Sequence, residues 1–185
     1  LMADSLVLTG SEKTFSPDQI IVSKTDTKGR ITYANQLFLS IAEYTEKDVL
    51  GQPHSMIRHP AMPRCIFELL WRTIAAGDEI FAYVVNRTKQ QNHYWVMAHV
   101  TAQRDENGQI TGYHSSRRCP SRAALEIIKP LYARLLAAEQ QHSNDKQGLQ
   151  AGRAMLEDIL HQSGKRYDQF VFDLIRLPLE QHLYQ

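Results

Sequence analysis

The chain has 185 residues, 43% of them apolar and 22% charged, with 21 basic and 20 acidic side chains and a net charge of +1. Those proportions suit one ordinary globular domain with an appendage and exclude a dedicated nucleic-acid binder, which carries a basic excess. Two cysteines, Cys65 and Cys119, cannot build a disulfide framework, and no run approaches the roughly 18 apolar residues that span a bilayer, so a cytoplasmic protein without a membrane span is expected.

Residues 1–18 are polar, lack the basic-then-apolar pattern of a secretory signal, and read as a flexible or capping N-terminal segment. Residues 19–118 form the sensor-sized core of the chain. Ile20 to Val22 and Ile31 to Tyr33 are short β-branched runs around a turn at Asp26 to Gly29, the signature of a hairpin. Asn35 then caps a helix with apolar Leu37, Phe38, Ile41 and Ala42. Thr45, with Asp48 three residues later, marks the entry to a second short helix. A third helix carries Ile66, Phe67, Leu69, Leu70, Ile74 and Ala75 and ends near Gly77. Three strands follow: IFAYVVNRT, HYWVMAHVTAQ and QITGYHSSRR. Alternation in the second of them puts Tyr94, Val96, Ala98 and Val100 on one side and Trp95, Met97 and His99 on the other. Residues 119–185 form a helical output or dimerisation segment, with Pro130 expected to start or kink its first helix and a break at Gly164. Short helices between two strands and a three-stranded meander make an α+β fold with an antiparallel sheet.

The stretch GQPHSMIRHPAMPRC concentrates the polar chemistry. Its His54, Met56, His59 and Cys65 are metal ligands by type, but the tight Cys/His pairs of a zinc site are missing. No nucleophile elbow, dinucleotide fingerprint or phosphate loop occurs, so no enzyme is expected. Arg58 and His59, on a loop stiffened by Pro60 and Pro63, are either a polar clamp for oxygen-rich groups or a solvated capped loop. Asn86 is either an amide offered to the edge of a heterocycle or a strand-end residue bonded to backbone.

Taken together, ITYAN, GQPHSMIRHPAMP, an apolar helix with Trp71, then NR, HYWV and GY resemble a PAS sensor domain. Within that family the chain is most similar to the flavin-binding domain of bacterial aerotaxis receptors, over about residues 20–136. The resemblance implies a five-stranded antiparallel sheet with short helices over one face, followed by C-terminal helices. It implies FAD between sheet and helices, held by Asn35, Arg58, His59 and Asn86, with Trp95 of HYWV also matching. Reduction of the flavin would require the Asn86 amide to reorient, and the sheet would pass the change to the helices after Arg118. Two positions depart from the family. Ala61 stands where an acidic residue follows RHP, and Ile80 stands where the family has Trp, with bulky Phe81 and Tyr83 beside it. Such side chains either crowd the ring or leave it in a different electrostatic setting.

The implied function is a cytoplasmic sensor that binds FAD and reports redox state or oxygen, acting as a homodimer on an unidentified signalling partner. The alternatives are a cofactor-free interaction module and a haem or small-ligand sensor on the same fold. No Asn-Cys-Arg motif is present, so light-driven adduct chemistry is not expected. The aerotaxis receptors continue into a membrane anchor and coiled coil. A chain without them is expected to be either a portion of a larger receptor or a small sensor that acts by docking.

Overall fold

The computed structural model describes residues 7–177. The ends of the expected N-terminal segment and helical tail, residues 1–6 and 178–185, lie outside the described residues. Strand β1 (Ile21–Asp26) turns into β2 (Ile31–Ala34). The Asp26 carboxylate fixes that turn by accepting from the Lys28 and Arg30 backbone N–H groups, each at 2.9 Å. Helix α1 (Gln36–Ala42) starts where the Asn35 side chain accepts from the Phe38 N–H, and α2 (Glu46–Val49) carries the Thr45/Asp48 capping box. A single 3₁₀ turn spans His54–Ile57, and α3 (Arg64–Ala75) follows. Strands β3 (Ile80–Arg87), β4 (His93–Arg104) and β5 (Ile110–Arg118) complete one antiparallel sheet in the order β2-β1-β5-β4-β3.

The first three α-helices and the 3₁₀ turn cover the inner face of this sheet. The outer face is covered as well, because the tail folds back. Helix α4 (Arg122–Gln140) places Tyr132 on the outer side of β3 and β4, where its hydroxyl donates to the Tyr83 carbonyl at 2.5 Å. Helix α5 (Asp145–Ser163) then passes to the α3 side of the molecule, and α6 (Tyr167–Ile175) returns to β3. There the Tyr167 hydroxyl donates to the Phe81 carbonyl at 2.8 Å.

Pro130 lies inside α4 without ending it. Pro130 and Glu126, whose carbonyl loses its usual N–H partner, are both on the exposed side of the helix, so water satisfies the orphan. The residues that precede β1 run beside the start of β4. Backbone bonds join Thr9 to Gln91, and both Ser11 and Lys13 to His93.

Candidate functional site

A cavity of about 470 Å3 lies between the inner face of the sheet and α3, within the range of small-molecule sites. Its floor is read directly from strand register. Ser23 pairs with Ser115, Ile21 with Arg117, Arg117 with Ala98, and Val84 with Val96, so side chains two apart on each strand converge on one face. Val84 and Asn86, Ala98 and Val100, and Ser115 and Arg117 line it from the sheet. Phe67, Leu70, Trp71 and Ile74 line it from α3, and His54 and Ile57 from the 3₁₀ turn. Most of this wall is apolar, and the exceptions cluster.

The cluster centres on Arg117, only 3% exposed. Its Nη2 donates to the Ser23 hydroxyl and to His54 Nε2, both at 2.6 Å, and its Nε donates to the Ser115 hydroxyl at 3.1 Å. Nη1 is buried with no partner, and no carboxylate among the described residues pairs with this guanidinium. Burial pulls Arg117 down to about 10, which leaves it charged at neutral pH. His54 is pressed down to about 3, first by burial and then by the Arg117 charge. It is therefore a neutral imidazole whose Nε2 accepts from the guanidinium, which leaves its proton on Nδ1.

Asn86, also 3% exposed, has an Nδ2 group without a partner. The Thr25 hydroxyl, on the same lining, and the Tyr94 hydroxyl, on the same sheet face, are likewise buried and unpaired. Buried polar groups are bonded in nine cases out of ten or more, so partnerless polar atoms on Thr25, Glu68, Asn86 and Arg117, all in one lining, single this cavity out as the polar site of the fold.

Arg58 stands at the rim, its guanidinium 4.1 Å from the centre of the Phe67 ring. It borders this cavity and a second, more open one of about 600 Å3, which Arg64, Arg87, His59 and the end of α4 also line. His59 faces only the second cavity. Its Nδ1 accepts from the Ala61 N–H at 3.0 Å, and its ring meets His93 edge-on at 5.9 Å. Burial, then His93 and Arg87, push its pKa down.

Of the residues proposed from sequence, Arg58 and Asn86 meet at the main cavity, where their backbones also form a bridge. Asn35 does not line it. Its amide is spent on structure, accepting from Val22 and Phe38 and donating to the Ile20 carbonyl. Trp95 points the other way, packed against Tyr132 at 6.0 Å on the outer face. Phe81 and Tyr83 share that outward parity, so neither crowds the cavity: Phe81 stacks on His99 at 4.2 Å and meets Phe172 of α6. Ile80 is buried on the cavity-side parity at the start of β3, outside the lining. His54 was noticed as a metal ligand by type, yet no group of three or more possible ligands exists among the described residues. Arg117 belongs to no sequence motif. Alternation along β5 would have put it on the face of Tyr113 and Ser115.

These features define a PAS fold with an internal cavity. Residues 31–117 match the family model described as the PAS fold, and the chain carries a PAS domain. It is 35% identical over 136 residues to the aerotaxis receptor of Escherichia coli K12, an alignment covering 74% of this chain and 27% of the receptor. The nitrogen fixation regulatory protein of Klebsiella pneumoniae is 24% identical over 99 residues, 54% of this chain and 20% of that protein. The chain thus spans well under a third of the curated relatives it matches. Among solved structures, the LOV domain of the blue-light photoreceptor Aureochrome1 in its light state superposes with a TM-score of 0.53 at 22% identity, covering 66% of this chain and 91% of that one. A light-oxygen-voltage domain studied with a flavin analogue gives 0.53 at 21%, covering 59% and 82%.

Proposed function

We propose that this chain is a cytoplasmic PAS sensor that holds FAD in the cavity under α3 and reports its redox state or the presence of oxygen through the C-terminal helices. One observation carries the reading. Asn86, Arg117 and Thr25 line a largely apolar hollow, and Asn86 Nδ2, Arg117 Nη1 and the Thr25 hydroxyl are buried there without partners. A flat heterocycle rich in carbonyl oxygens and ring nitrogens meets that set of donors. The likeness to an aerotaxis receptor and to light-oxygen-voltage domains supports the same ligand class.

The cofactor would supply reversible electron uptake, and the protein would supply orientation and electrostatics. Asn86 donates to the ligand's polar edge from a strand that cannot move without the sheet. Arg117 sets a fixed positive field, and neutral His54 and the two serines hold the guanidinium in place. The second cavity favours a dinucleotide over a mononucleotide. Arg58 and Arg87 border it, and guanidinium forks suit phosphate oxygens, while Arg64, also on its border, is paired with Asp145. A haem reading has less support, because the cavity-lining His54 has its Nε2 engaged by Arg117. Homodimerisation is part of the proposal and is open to light scattering.

The test is the absorption spectrum of the purified protein, followed by chromatography of whatever heat releases. The expected result is a flavin spectrum and FAD. A Soret band, or a colourless protein that refuses added FAD, overturns it.

A further inference from the structure

The α4–α5 hairpin does more than cover a face: it supplies wall to both cavities. Leu149 of α5 reaches the lining of the main cavity, and Leu136, Gln140 and His142 border the second. Its attachment to the ligand-binding core is also unusually local. The buried Glu139 carboxylate, from the last turn of α4, accepts from the first two amides of α3: Arg64 N–H and Cys65 N–H, each at 2.8 Å. Two ion pairs flank it. Arg64 meets Asp145 at 2.6 Å, and Arg153 of α5 meets Glu68 of α3. Glu68 itself lines the main cavity, and its second oxygen is buried without a partner.

Two glycines let α5 come close enough. A Cβ on Gly148 would stand 2.5 Å from the Glu139 carbonyl oxygen, and one on Gly152 would run into the Glu139 carboxylate. The small residues four apart are thus a socket for this one acid. By contrast, α6 and the first part of α4 hold the outer face of the sheet, away from either cavity.

We propose that the α4–α5 hairpin is a lid over the ligand, latched by Glu139 in the Gly148/Gly152 socket, and that its grip on α3 follows what occupies the cavity. Arg58 is the physical link. It borders both cavities and lies in the field of Glu139, so a ligand group that engages it alters the electrostatics of the latch. The signal then leaves through α3 and α5 as well as through the sheet. The lid rests on the main cavity being the ligand site proposed above.

The experiment is hydrogen exchange of the Arg64 and Cys65 amides, with and without FAD, together with the rate of FAD release on dilution. FAD is expected to slow exchange at both amides. Gly152→Leu is expected to abolish that slowing and to speed release by roughly tenfold. Arg153→Ala, which leaves the socket intact, should shift both readouts in the same direction by less, with circular dichroism confirming the fold. Exchange that ignores FAD overturns the proposal, as does a freed α5 with unchanged release. If the protein takes up no FAD, the redox-sensor reading fails separately. The lid is then judged by entry of an anilinonaphthalene dye into the cavity: faster entry in Gly152→Leu supports it, and equal entry overturns it.

Discussion

Arg117 is a cation held out of water with no opposing charge paired to it among the described residues, an arrangement that is costly by itself. Replacing it should separate stability from binding. In Arg117→Met the thermal midpoint of ligand-free protein should hold or rise, while flavin affinity falls by roughly tenfold or more. A large drop in midpoint with unchanged affinity would make the residue structural. Asn86→Ala, which removes the unpaired amide, should likewise weaken flavin binding, by about 1–3 kcal/mol in a titration followed by absorbance. His54 gives a pH signature. The unfolded imidazole takes a proton near pH 6.5, whereas the folded one resists until about 3. In that window the unfolded chain binds the proton and the folded chain refuses it, so stability is lost as pH falls from about 6.5 toward about 3. His54→Gln should flatten the fall, measured by urea denaturation at neutral pH and at about pH 4.5. Arg58 and Asn86 were legible because a family motif marks them. Arg117 and His54 were not, since their partnership joins the end of the last strand to a turn 63 residues earlier. Spacing along the chain carries no trace of such a contact. Asn35 and Trp95 show the converse: each fits the motif, while the fold uses one as a helix cap and strand clasp and the other as packing for α4.

Among the elements, those with local signals were the easiest to read. Asn35 and the Thr45/Asp48 box start their helices where the sequence indicates, because a cap acts within four residues. The start of α5 carries no apolar signal. The apolar stripe begins at Leu149, but Asn144 accepts from the Lys146 and Gln147 amides and opens the helix at Asp145. The intervening turn is polar and gives no stripe. Pro130 does not start its helix: α4 begins at Arg122 and runs through it, with Pro130 on the wet side. Pro130→Ala should therefore stabilise the protein, by roughly 1–3 kcal/mol in denaturant unfolding, since it restores one helical bond and removes a ring clash. No change would mean that the ring costs α4 nothing at this position.

At the scale of the molecule, the five antiparallel strands were legible as strands, while their order in the sheet was not. Hydrophobic alternation fixes which face a residue occupies but not which strand lies beside it. The return of the tail to both sides of β3 was not legible either, because an amphipathic stripe declares that it must be buried without saying where. Cutting the chain after Arg118 would strip the cover from Phe81, Tyr83, Val85 and Trp95, an apolar strip of the sheet. The shortened protein should self-associate in sedimentation, whereas the full chain should not form open-ended aggregates. The rims of the sheet bear on this too. On β3 the carbonyls of Phe81 and Tyr83 are occupied by tyrosine hydroxyls, and along β2 residues 51–54 bond to Gly29 and Ile31. A foreign ribbon arriving at either border finds its docking points already taken. Edge-to-edge addition of one copy to another is therefore disfavoured along the covered parts of β3 and β2, and the helices are the surfaces left for pairing.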